Sequence, residues 1–144
     1  ISKYFIKKYY ETDLQLKFIN SLLKLANTSI DISDGLIDDL KKMINRQSVS
    51  FHIFEKNIPI SNTLSQLIEI KKLRKIDITS RGDDYQILFT ANPIKSRIIK
   101  RISNDTGIKI TKIGKIISGK NKSKIINIKN KQIEAKNKGY IHQF

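Results

Sequence analysis

Leu14, Phe18, Leu22 and Leu25 recur every three or four positions in DLQLKFINSLLKLA, which predicts an amphipathic helix over residues 13–26. The period then shortens. TSIDI, at 28–32, alternates apolar and polar positions and reads as a short strand. Helical period returns from Asp34 to Asn45, where Leu36, Ile37, Leu40, Met43 and Ile44 form one stripe. SVSFHIF, at 48–54, alternates Val49, Phe51 and Ile53 as a half-buried strand does. Residues 62–74 look helical through Leu64, Leu67, Ile68 and Leu73, and YQILFTA at 85–91 is rich in strand formers. Pro93 can open a helix that runs through IKSRIIKRISND and stops at Gly107. IKITKIGKII and SKIINIK read as strands, followed by a turn at NKQ and a last short strand.

Helices between strands, ending in a strand-rich segment, predict a layered α+β domain, an α/β sandwich. No repeat or linker interrupts residues 1–144, and the length suits a single domain that buries roughly two thirds of its unfolded surface. Hydrophobic residues at 39% and charged residues at 28% fit a globular chain. There is no Cys, which excludes disulfides and thiolate chemistry. No apolar run approaches the ~18 residues of a membrane span, and no signal-peptide core opens the chain; a cytoplasmic protein is expected, with no membrane partner. The first residue is Ile1, as in a processed chain, a trimmed one or a piece of something longer.

The net charge of +15 changes the picture because it is uneven. Residues 95–138 hold 14 Lys and Arg against Asp105 and Glu134, a net of +12, and residues 1–94 supply the other +3. Such a field attracts phosphates or nucleic acid. It also fits a general bias toward Ile, Lys and Asn, since the lysines follow no helical face and few aromatics interleave them.

Against that background SIDISDGLIDDL, at 29–40, stands out with Asp31, Asp34, Asp38 and Asp39. Either Asp31 or Ser33 can cap the helix that follows, with Asp34 in its first turn where the dipole favours negative charge. Capping leaves the rest of the cluster unexplained. Asp31 and Asp34 flank a strand-to-helix turn, so their carboxylates can converge and hold Mg²⁺, a hard cation that takes one or two carboxylates and bridges to substrate phosphates. Ser33 and free N–H groups at the helix start can meet a phosphate, and Gly35 permits a close approach to the backbone. A second acidic point, Arg81-Gly82-Asp83-Asp84-Tyr85, enters the strand QILFT; ordinary turn chemistry also accounts for it.

Taken in order, SIDISDGLIDDL, RGDDYQILFT, IGKI and a terminal KGYIHQF resemble the C-terminal half of thiamine-monophosphate kinase. That family shows an Asp-x-Ser-Asp-Gly-Leu stretch, a Gly-Gly-Glu/Asp-Asp-Tyr-Glu-Leu stretch and a Gly-aromatic-Asp-His-Phe ending. The resemblance implies a C-terminal domain of the type shared with aminoimidazole-ribonucleotide synthetase and selenophosphate synthetase, a mixed sheet with helices on one face. It implies Mg²⁺-dependent transfer of the ATP γ-phosphoryl group to thiamine monophosphate. It implies Asp31 and Asp34 as metal ligands, Ser33 at ATP, and Asp83 and Tyr140 at thiamine monophosphate. No residue is expected to act as a covalent nucleophile, since phosphoryl transfer asks mainly for positioning and charge neutralisation. Arg81 replaces the first Gly of the family's pair, Gln86 stands where Glu is common, and the ending lacks the Asp before His142.

In that family an N-terminal domain supplies most of the ATP site, further metal-binding acids and the dimer interface, and nothing in the 144 residues corresponds to it. The chain alone is therefore expected to be inactive, with the missing domain or a second chain as its partner and a homodimer allowed. The rival readings are a basic module binding RNA or another polyanion, which the scattered lysines disfavour, and a decayed enzyme fragment. Gly114–Asn121, GKIISGKN, nearly fits a phosphate loop, but Asn121 replaces the hydroxyl residue and no helix follows, so a hairpin turn is expected. His52 and His142 lack ligand spacing for zinc.

Overall fold

The computed structural model describes residues 2–11 and 16–136. Its elements are α1 (Ser2–Tyr10), α2 (Leu16–Leu25), β1 (Thr28–Asp31), α3 (Leu36–Met43), β2 (Val49–Phe54), α4 (Asn62–Ile70), α5 (Lys75–Thr79), β3 (Ile87–Thr90), α6 (Ser96–Thr106), β4 (Gly114–Ser118), β5 (Lys124–Ile126) and β6 (Gln132–Ile133). Single 3₁₀ turns follow β2 and precede α6. The architecture is α+β. A two-stranded antiparallel ribbon pairs β1 with β3, and a four-stranded mixed sheet has the order β4-β2-β5-β6.

The core forms where the α3 stripe meets the mixed sheet. Leu36, Ile37, Leu40 and Met43 pack with Phe51 and Ile53 of β2 and Ile125 of β5, and Ile58, Ile76 and Leu88 close the cluster. Burying each such side chain contributes about 1.5–3 kcal/mol. Beside this core α2 rests on α6, and Phe18 meets Phe89 of β3 with ring centroids 5.6 Å apart. Among the described residues no helix is long and apolar enough to cross a membrane.

Several elements differ from expectation for identifiable reasons. The helix expected over 62–74 ends at Ile70, where Lys72 turns left-handed at φ 49°, and a further short helix, α5, inserts the fully buried Ile76 into the core. The strand expected over 108–117 begins only at Gly114. Before it, the Ser103 hydroxyl donates to the Ile108 carbonyl (2.7 Å) and accepts from the Ile110 N–H (3.3 Å), so a helix side chain takes the bonds a strand neighbour would. The segment ending at Asn121 is not part of a hairpin. β4 and β5 flank β2, so the turn between them crosses over the start of β2. There the Gly119 N–H donates to the Ser48 carbonyl, and the Ser50 hydroxyl donates to the Gly119 carbonyl at 2.6 Å.

Leu40 sits at the centre of the core, 2% exposed. Leu40→Ala is expected to lower unfolding free energy by about 2–5 kcal/mol, read from the urea midpoint at an unchanged slope.

Candidate functional site

The two acidic motifs meet because β1 and β3 pair antiparallel, Thr28 opposite Thr90 through Asp31 opposite Ile87. The ladder continues past the strand ends. The Ile32 N–H donates to the Gln86 carbonyl, the Tyr85 N–H to the Ile32 carbonyl and the Asp83 N–H to the Ser33 carbonyl, each at 2.9 Å. Two glycines permit this approach. A Cβ on Gly82, at φ 92°, would overlap the Ser33 carbonyl oxygen. One on Gly35, at φ 125°, would lie 2.5 Å from the Ser80 carbonyl oxygen. Neither position admits a side chain at ordinary contact distance.

The turn between β1 and α3 is shaped by a residue the sequence reading left without a role. Asp39 is 1% exposed. Its Oδ2 accepts from the N–H groups of Ser33 (2.9 Å), Asp34 (2.9 Å) and Gly35 (3.1 Å), and its Oδ1 accepts from Lys42 Nζ (2.9 Å). Burial pushes the Asp39 carboxyl up. The hydrogen bonds from Lys42, Asp34 and Gly35 more than offset this and hold it below the usual carboxylate range. The expected cap is thereby corrected: the N-cap position belongs to Gly35 and no side chain caps it, because Asp39 reaches back from inside the helix. Of the N–H groups expected near a phosphate, those of Ser33, Asp34 and Gly35 are committed to Asp39. The signal was present in the pattern. Leu36, Leu40 and Met43 line the buried face, and position 39 falls on that same face, three residues after Leu36. A carboxylate there must find partners.

The other predicted residues surround this anchor. The half-buried Asp34 accepts from Lys42 Nζ, so Lys42 bridges Asp34 and Asp39. Hydrogen bonds to Asp34 first and to Asp39 second raise the Lys42 ammonium above the ordinary lysine range. Asp31 is exposed at the end of β1, and Ser33 is half-buried. Asp83 is exposed and left-handed at φ 59°, as is Tyr85 at φ 49°. Such backbone strain in residues other than glycine collects at functional loops. The Tyr85 hydroxyl donates to Asp83 Oδ1 over a long 3.4 Å. Its phenol is pushed up, by the Asp83 charge first, then by desolvation and the hydrogen bond to Asp83, with the Asp31 charge last. Asp84 is pushed up to about 6, by desolvation first and Asp83 second. Backbone pairing thus sets the loop of Asp31 and Asp34 against that of Asp83, and Tyr140 lies outside the described residues.

Among the described residues no three His, Asp or Glu side chains form a metal-binding group. The oxygen donors present fit a hard cation held by one or two carboxylates. Asp34 already accepts a cation, the Lys42 ammonium, and Asp31 stands open at the strand end.

Comparison with known proteins finds relatives in sequence and in fold. No family model matches the chain. It is similar to the thiamine-monophosphate kinase of Buchnera aphidicola subsp. Schizaphis graminum, 32% identical over 145 aligned positions that cover 99% of the chain and 43% of the relative. The thiamine-monophosphate kinase of Aquifex aeolicus is 33% identical over 86 residues, 59% of the chain and 28% of the relative. The fold matches a crystal structure of thiamine monophosphate kinase from Aquifex aeolicus with a TM-score of 0.66 and 27% identity, over 90% of this chain and 40% of that one. It matches AaThiL complexed with AMPPCP and TMP with a TM-score of 0.70 and 27% identity, over 96% and 40%. The chain spans about two fifths of the length of relatives that match it end to end.

Two outcomes follow from this geometry. Gly82→Ala is expected to destabilise by more than about 1 kcal/mol, because it combines a left-handed φ with a steric overlap; thermal melts against Gly107→Ala, whose Cβ would meet nothing within 4 Å, separate the two effects. The folded carboxyl of Asp39 lies below its unfolded value of about 4, so the unfolded state binds the proton more readily. Its stabilisation is present above that value and is lost as pH falls through the folded one. Asp39→Asn is therefore expected to flatten the acid limb of a stability-against-pH curve.

Proposed function

Because this chain is related throughout its length to the thiamine-monophosphate kinases while spanning about two fifths of theirs, we propose that it is the C-terminal part of such a kinase. As a single domain it carries part of the site for Mg²⁺, ATP and thiamine monophosphate, in the cytoplasm. The observation that carries this reading is the joining of the Asp31–Gly35 and Gly82–Tyr85 loops by consecutive backbone hydrogen bonds. One edge then offers carboxylates to a cation and, beside them, a place for a charged substrate.

On this reading Asp31 and Asp34 would hold Mg²⁺, which when bound neutralises charge on phosphate oxygens. Asp34 would exchange the Lys42 ammonium for the metal. Ser33 offers ATP its hydroxyl, its N–H being held by Asp39. Asp83, fixed by its N–H to the Ser33 carbonyl, complements the cationic thiazolium ring of thiamine monophosphate. Tyr140 stacks on that ring, where an aromatic face favours a cation. Arg81, exposed in the position of the family's first Gly, leaves the approach of Gly82 to Ser33 intact.

Phosphoryl transfer requires donor, metal and acceptor to be held together. Two carboxylate loops hold only part of that constellation, so this chain alone binds substrate without turning it over. Calorimetric titration with thiamine monophosphate, with and without Mg²⁺, is expected to give saturable binding that Asp83→Ala abolishes. No heat at millimolar ligand contradicts the binding role, and measurable ATP turnover by the chain alone contradicts its inactivity.

A further inference from the structure

The acidic loop lies before the first residue of α3, and a separate cavity opens at the helix's other end. It has a volume of about 520 Å³, within the range of small-molecule sites. Three segments border it and leave it largely open to solvent: the exit of α3 with the exposed Lys41 and Arg46, the start of β2, and the crossing turn with the exposed Lys120. No carboxylate lines it. Lys41 also pairs with Asp38 at 2.8 Å, an exposed contact that water weakens. Arg46 and Lys120 make no ion pair among the described residues.

Two features distinguish this cavity from a chance meeting of lysines on a basic chain. Arg46 adopts φ 64° in the turn after α3 that the Gln47 N–H closes on the Ile44 carbonyl (3.2 Å), a left-handed position that favours Gly or Asn. As Lys72 does after α4, a long cationic side chain occupies it, and here it brings a guanidinium to the cavity lining. The turn carrying Lys120 is also fixed in place. The Ser50 hydroxyl, on a residue 1% exposed, donates to the Gly119 carbonyl (2.6 Å) and accepts from the Lys122 N–H (3.0 Å), and the Ser123 hydroxyl accepts from the Phe51 N–H (3.2 Å). A cleft of one charge sign with partly apolar walls, here Ile44 and Val49, concentrates its field on a counter-ion.

We propose that this cavity is a second binding site, for a small phosphate-bearing anion, with Arg46 supplying the planar fork that suits phosphate oxygens and Lys120 a point charge. It is independent of the acidic loops and of the kinase reading. Inorganic pyrophosphate, titrated calorimetrically into the full chain at about 0.15 M salt to screen diffuse attraction, is expected to bind at one saturable site. Arg46→Gly weakens that binding by about tenfold or more, while its Tm equals or exceeds that of the unsubstituted chain, because Gly fits the left-handed position. Lys120→Ala weakens it similarly. Asp83→Ala leaves it unchanged, so the two proposals stand or fall separately. Absence of saturable binding at millimolar pyrophosphate overturns the proposal. So does equal weakening by Arg97→Ala/Lys100→Ala on α6, which would assign the effect to net charge rather than to this cavity.

Discussion

One buried carboxylate organises the acidic end of this molecule. Asp39 leaves water entirely, a costly move unless every lone pair finds a donor, and it finds four: three successive backbone N–H groups and an ammonium. The same contacts that satisfy Asp39 fix the path of Ser33, Asp34 and Gly35. That path in turn aims the Ser33 carbonyl at the Asp83 N–H and presents Asp34 to Lys42. No side chain caps α3 at Gly35, so Asp39 is what ties the turn between β1 and α3 to the helix. The glycines act as the complementary constraint, since Gly82 and Gly35 let backbone meet backbone where any side chain would intrude.

This arrangement accounts for an acidic site on a chain of net charge +15. Its negative charge is concentrated where two short loops converge, while the cations of the crossing turn and the α3 exit collect at the other end of the same helix. Among the carboxylates, buried Asp39 serves the fold and exposed Asp31 and Asp83 face solvent. Half-buried Asp34, tied to Lys42, lies between the two roles. The relatives and solved structures named above are thiamine-monophosphate kinases, whose remaining length lies beyond the matched portion.

Much of the fold was legible in the pattern of apolar positions. The α3 stripe, the alternation of β2 and the Gly107 stop of α6 all stand where expected, with Gly107 left-handed at φ 70°. What escaped depended on tertiary context. α1 has no clean stripe, and Ile6, Tyr9 and Tyr10 on it remain exposed. α5 is five residues long and exists to bury Ile76. The alternating residues before β4 resemble a strand, yet the backbone of Ile108 and Ile110 bonds to the Ser103 hydroxyl of α6. No local rule distinguishes a hairpin from a crossing turn, because the difference is whether β2 slots between the two strands. At the site, residue types and spacing pointed to the two loops that the backbone joins. They did not reveal Asp39 as the anchor, since that role is defined by which N–H groups fold back onto it.

Native-state amide hydrogen exchange shows most directly whether the two acidic loops form one unit held through Asp39. Slow exchange is expected at Ser33, Asp34, Gly35, Asp83 and Tyr85 in the unsubstituted chain, with joint acceleration of all five in Asp39→Asn while β2 amides are unchanged. Fast exchange at Ser33–Gly35 in the unsubstituted chain, or acceleration confined to those three with Asp83 and Tyr85 unaffected, would contradict it.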